Sequence, residues 1–306
     1  MPNLSGQEQE ILSRVLGVIV VAVAVVDGAL LGAWLWGRSR ERKGAPPLFA
    51  RTWSLLDVWA AGHIIIGAML GLLIVIMVPV AAGMALLGVP ADRIAGLIEA
   101  WMPRIAILSL IPQNVLLVGV PAACIALKYG QRLEDIGFTL RPDGRTLRLG
   151  FALGLLVMAV GFGMEWLVGQ AARLALGPQS AQSLASFTDR IGNAEVIRQG
   201  MESPVWFVLL LLGGGILAPV GEEFFFRGFL YNAARRRFGF WPAVWISTLV
   251  FAMVHVGPLL ILAIIPVGVL LAVAYERTGS LWVPIVMHVT NNSLALVLAY
   301  LFPQLV

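Results

Sequence analysis

Long apolar runs separated by short charged stretches make up the chain, and each run is near the roughly 20 residues that a membrane-crossing helix needs. Residues 15–36 form the first, interrupted by Asp27 and stopped by the basic stretch Arg38 to Lys43. Residues 55–88 form a second, overlong run with His63 near one end and Pro79 inside, and Asp92 to Arg104 reads as a short amphipathic link. A third run covers 105–127 and a fourth 149–171, separated by a charged loop that turns at Arg141-Pro-Asp-Gly144. Residues 172–203 are polar, hold no span, and make the longest expected extramembrane loop. Pro204 opens the fifth span, where Gly213-Gly-Gly215 and Pro219 predict a break before a helix resumes and runs to Arg235-Arg-Arg237. Residues 241–256, 258–275 and 281–301 supply three more, punctuated by Gly257-Pro258 and Gly279-Ser280. The pattern predicts an all-α polytopic membrane protein, about eight transmembrane helices in one bundle.

Composition agrees: 59% of the 306 residues are hydrophobic, 12% are charged, and the mean hydropathy is +0.89. Such a surface suits lipid and not water. The first run follows Glu8, Glu10 and Arg14 instead of a basic leader, so it reads as a retained span. The net charge of +4 would be compatible with nucleic acid, but the basic residues sit in short loops, so no nucleic-acid partner is expected. With the N-terminus outside, fourteen Lys and Arg fall on the cytoplasmic side and six outside, while Arg227 is intramembrane. That bias favours eight spans with both termini outside. Cys124 stands alone, which excludes an intramolecular disulfide, a CxxC pair and a thiolate zinc cluster.

Against this background Glu222-Glu223-Phe224-Phe225-Phe226-Arg227 is anomalous, because charge near a bilayer centre costs roughly 2.5–3.5 kcal/mol per group on insertion scales. Glu223 and Arg227 are four apart and share a helix face, whereas Glu222 lies about 100° round the axis. One carboxylate can pair with the arginine and the other is free for other work. Two of the three histidines also lie deep in apolar sequence, in Phe251-Ala-Met-Val-His255 and His288-Val-Thr-Asn-Asn292, and His288 and Asn292 share a face. These groups predict an intramembrane polar cavity. Peptide hydrolysis needs a base for water, donors for the oxyanion and an acid for the leaving amine. Glu222 with His255 suits the first and last, and His288 with Asn292 suits the second. A zinc site built from Glu222 and the two histidines is the rival chemistry, although HExxH is missing, as are the Gly-x-Ser-Gly and Gly-x-Gly-Asp patterns of other intramembrane proteases. His63 reads as interfacial packing. Asp27 and Glu165 are lone intramembrane acids without an assigned role.

Together, Glu-Glu-x-x-x-Arg, Phe-x-x-x-His and His-x-x-x-Asn resemble the three motifs of the CAAX protease and bacteriocin-processing family, with no motif position departing. The likeness covers roughly residues 130–305 and includes the lead-in Tyr129 to Leu140. It implies an eight-helix membrane bundle and a glutamate-dependent intramembrane endopeptidase, with Glu222 and His255 activating water and His288 and Asn292 at the oxyanion. Glu223 and Arg227 orient the site, and neither a metal nor another cofactor is expected. Residues 1–104 then form an N-terminal membrane segment outside the match, and 105–306 a catalytic membrane core. The expected partners are a peptide or membrane-protein substrate and the bilayer, in a bacterial inner membrane. A non-catalytic immunity or secretion-complex subunit of the same fold is the alternative from a different class.

Overall fold

The computed structural model describes residues 53–191, 194–255 and 257–302. The span expected over 15–36, with Asp27, lies outside them. Nine helices run through the described residues: α1 (Leu55–Leu86), α2 (Ala91–Ala123), α3 (Gly144–Leu176), α4 (Pro178–Ile191), α5 (Ala194–Met201), α6 (Pro204–Phe238), α7 (Phe240–Met253), α8 (Pro258–Thr278) and α9 (Trp282–Leu301). Six of them (α1, α2, α3, α6, α8 and α9) are long and apolar enough to cross a membrane. The protein is an all-α, polytopic, integral membrane protein.

Three expectations change. The amphipathic link read over Asp92 to Arg104 is the first part of α2, which runs on unbroken through the 104/105 boundary to a wider π-helical turn, Cys124–Lys128. The polar stretch 172–203 folds into the end of α3 and two amphipathic helices too short to span. The sixth run, read as a span over 241–256, is only the 14-residue α7, about 21 Å long against a hydrocarbon core of about 30 Å.

Short-range side-chain bonds set the helix starts. Ser54 and Asp57 form a reciprocal capping box at the start of α1, and Lys128 and Tyr129 also bond the Asp57 carboxylate. Asp143 caps α3 by accepting the Thr146 amide, which holds its carboxyl below the usual carboxylate range. His63 leans on the Trp59 ring and is exposed on α1, far in sequence from the motifs, while Glu165 is exposed on α3.

Close approaches assemble the bundle. A Cβ at Gly150 or Gly154 would stand 2.7 Å from the Val286 Cβ and 2.6 Å from the Thr290 Cβ, so these two glycines let α3 press against α9. Because Val286 and Thr290 occupy one face of α9, His288 between them is turned the other way, toward α6. At the turn just before α9, Gly137 adopts φ 75° at a site where a Cβ would lie 2.1 Å from the Gly279 carbonyl oxygen. Leu281 then bonds the Gly137 carbonyl, and the Tyr275 hydroxyl bonds that of Ile136. The lead-in segment is thereby fastened to the turn between α8 and α9.

Candidate active site

The expected break in the fifth span does not occur. α6 instead continues from Pro204 to Phe238 by widening twice into π-helical turns, Leu211–Leu217 and Phe224–Tyr231, on either side of the glutamates. Pro219 has no N–H to offer the preceding turns, so carbonyls there need other donors. Asn292 Nδ2 supplies one to the Gly214 oxygen at 3.3 Å and Ser293 Oγ one to the Gly215 oxygen at 2.9 Å. The second π segment is held likewise. Ser247 donates to Phe226, Asn232 to Arg227 and Gly228, and the Trp53 indole to Phe229. Side chains from α7, α9, α6 itself and Trp53 ahead of α1 therefore substitute for the helical ladder and fix the phase of the acidic pair.

Glu223 and Arg227 are completely buried and bonded at 2.9 Å. Arg227 also donates to the Gly268 carbonyl at 3.1 Å and lies over the Phe251 ring, 4.5 Å from its centre. The same Glu223 oxygen that receives the arginine is 2.9 Å from His288 Nδ1. A carboxylate accepts, so Nδ1 carries the proton and Nε2 is left facing the site. His255 is oriented in the same manner, because its Nδ1 lies 2.8 Å from the Phe251 carbonyl, which can only accept. Phe251 presents its edge or face to both imidazoles, at 4.6 and 5.7 Å between ring centres.

Both free nitrogens point at Glu222. Its Oε2 is 3.9 Å from His255 Nε2 and 3.8 Å from His288 Nε2, and it has no hydrogen-bond partner among the described residues. These gaps are too long for direct hydrogen bonds and short enough for one oxygen atom to bond two of the three groups at about 2.8 Å. Asn292 stands one turn, about 6 Å, beyond His288 on α9. Its Oδ1 accepts from Asn291, its Nδ2 uses one hydrogen on Gly214, and the second hydrogen is uncommitted among these contacts. Among the described residues no group of three or more His, Cys, Asp and Glu side chains is disposed to hold a metal ion.

Counted from the ends of their spans, His255 should lie about 21 Å deep and His288 about 10 Å, yet both meet Glu222. The register of α7 removes the conflict. Ser247 bonds the Phe226 carbonyl, so the first half of α7 runs back beside the last turns of α6 and brings His255 level with Glu222. Gly257, at φ 130°, then turns the chain into α8.

Sequence reasoning did not single out Asn114. It is 4% exposed on α2, in Ile111-Pro-Gln-Asn114, and its Oδ1 lies where a Cβ on Gly221 would come within 2.4 Å. The available signal was two adjacent amides, Gln113 and Asn114, inside an apolar run.

Residues 204–294 match the family of Type II CAAX prenyl endopeptidase Rce1-like proteins. This segment holds all three motifs and is similar to that family. The chain is also 30% identical over 90 residues to the putative membrane peptidase YdiL of Bacillus subtilis. It is 34% identical over 95 residues to the membrane-embedded CAAX protease MroQ of Staphylococcus aureus, and 37% over 94 to an uncharacterized 24.3 kDa protein of Escherichia coli. Each match takes in 29% of this chain and 37–43% of the relative, so the chain spans well under half the length of these curated relatives. No solved structure matches the chain.

Proposed function

We propose that the protein is an intramembrane endopeptidase in which Glu222 activates water for attack on a peptide carbonyl. The supporting observation is the facing of Glu222 Oε2 and the two histidine Nε2 atoms at 3.8–3.9 Å, in a family segment whose relatives include a protein named as a membrane-embedded CAAX protease. A water accepted by the Glu222 carboxylate and by His255 Nε2 has both hydrogens engaged, which leaves its lone pairs for the carbonyl carbon. Glu222 takes the proton as the bond forms and, with His255, returns it to the leaving amine. The uncommitted Asn292 N–H stabilises the oxyanion, joined by His288 Nε2 when that ring is an imidazolium. Glu223 is the orienting group, because its oxygen holds His288 from one side and Arg227 from the other. The substrate is a peptide segment presented at the bilayer, in a bacterial inner membrane with the Lys128 to Arg148 loop on the cytoplasmic side.

A zinc-dependent reaction is the second reading. It is favoured by one observation, that both imidazoles are anchored through Nδ1 and offer Nε2 lone pairs to the same carboxylate, the usual orientation of metal-bound histidine. The deciding experiment compares detergent-solubilised wild type and Glu222→Gln on a quenched peptide library. Cleavage by wild type with nearly none by Glu222→Gln is expected. No cleavage by wild type would point to a binding or immunity protein of this fold, and full cleavage by Glu222→Gln would reject Glu222 as the base.

A further inference from the structure

Asn114 comes from α2, outside the matched segment 204–294, and approaches α6 immediately before Glu222. Its Nδ2 donates to the Leu110 carbonyl of its own helix at 2.7 Å, which pins the amide plane and directs Oδ1 at α6. That oxygen is buried and has no hydrogen-bond donor among the described residues. It meets the Cα of Gly221: a Cβ there would stand 2.4 Å from Oδ1, 3.1 Å from Cγ and 3.2 Å from the Asn114 Cα. A polar atom left without a donor in a buried helix interface is costly, so a packing role alone would be served better by an apolar side chain. What the amide supplies is a short, rigid wedge with a weak Cα–H···O contact at its tip.

We propose that Asn114 is a positioning residue for Glu222, a wedge on α2 that seats Gly221 and so sets where the neighbouring carboxylate points. Glu222 needs such support more than Glu223 does. Glu223 is held by Arg227 and His288, whereas Glu222 Oε2 has no hydrogen-bond partner among the described residues and takes its place from the backbone that carries it. The absence of a side chain at Gly221 and the amide at Asn114 are two halves of one contact. This inference rests on Glu222 being the water-activating group.

The test is a complementation between the two positions in the detergent-solubilised full chain, read on a peptide that wild type cleaves. Asn114→Ala should lower kcat roughly 10- to 100-fold with KM little changed, the scale of loss when a reacting group is displaced by about an ångström. Gly221→Ala should lose at least as much. The pair Asn114→Ala with Gly221→Ala should recover most of the Gly221→Ala loss, because the new methyl enters the space of Oδ1 and Cγ. An Asn114→Ala enzyme with wild-type kcat, or a double variant in which the two losses multiply, would overturn the proposal. Should Asn114→Ala fail to fold, Asn114→Ser removes the same wedge and takes its place. A second readout needs no turnover: carbodiimide-promoted amine labelling of Glu222, quantified by mass spectrometry, should change in rate in Asn114→Ala, and an unaltered rate would count against the wedge. If Glu222→Gln cleaves normally, the functional reading fails while the labelling arm still decides whether Asn114 sets the position of Glu222.

Discussion

Replacing Arg227 by methionine should be among the most damaging single changes outside the reacting groups, and the structure states why. The guanidinium has no exposed surface, makes an ion pair with Glu223 at 2.9 Å, bonds the Gly268 carbonyl at 3.1 Å and stacks on Phe251. Methionine fills much of the stem volume but leaves a fully buried carboxylate with His288 as its remaining partner, and takes the guanidinium donor away from the Gly268 carbonyl. Breaking a buried pair from one side costs about 3–5 kcal/mol, most of it the desolvation of the abandoned charge. Glu223→Gln from the other side strands the arginine and should cost a similar amount. The double variant should be much less damaged than the sum, because a glutamine oxygen can still accept from His288 Nδ1 and no charge is left unmatched. A coupling of roughly 2–3 kcal/mol between the two sites is expected. Unfolding in mixed detergent and SDS micelles, followed by the fluorescence of the ten tryptophans, measures all four proteins of the cycle. Stability of Arg227→Met within about 1 kcal/mol of wild type, or strictly additive losses, would refute the reading of this pair as one buried electrostatic unit.

Asn292→Ala should lower kcat by roughly 10²- to 10³-fold, the usual loss for one oxyanion donor, and a normal rate would remove Asn292 from the mechanism. Peptide cleavage should survive exhaustive chelation, and activity lost to a chelator and regained with zinc would instead establish the metal reading. Gly137→Ala should destabilise the fold by at least about 1–2 kcal/mol in the same micelle assay, since a left-handed backbone and the Gly279 carbonyl both exclude a Cβ. Arg141→Cys, placed in a Cys124→Ser background, should resist a membrane-impermeant thiol reagent applied to intact cells, and efficient labelling would reverse the proposed orientation.

The membrane class, the helical architecture and the polar residues that gather around Glu222 were open to reading from sequence. Lipid makes each unpartnered charge or imidazole conspicuous, and the i,i+4 spacing of Glu223 with Arg227 and of His288 with Asn292 is a local property of any helix. The pairing of Glu223 with Arg227 needed nothing more. The meeting of His288 with Glu223, the anchoring of both Nδ1 atoms and the common aim of Nε2 at Glu222 needed the tertiary fold, because they depend on how α6, α7 and α9 are staggered. Sequence rules predicted a break at Gly213-Gly-Gly215 and Pro219, since they weigh only bonds within a helix. Asn292 and Ser293 supply donors from another helix, so a widened turn replaces the break. A count of residues also left His255 and His288 at different depths, a conflict that only the register of α7 against α6 removes. Asn114 went unnoticed because one amide in an apolar run carries little signal, and its contact with Gly221 exists only when two helices more than a hundred residues apart are laid side by side.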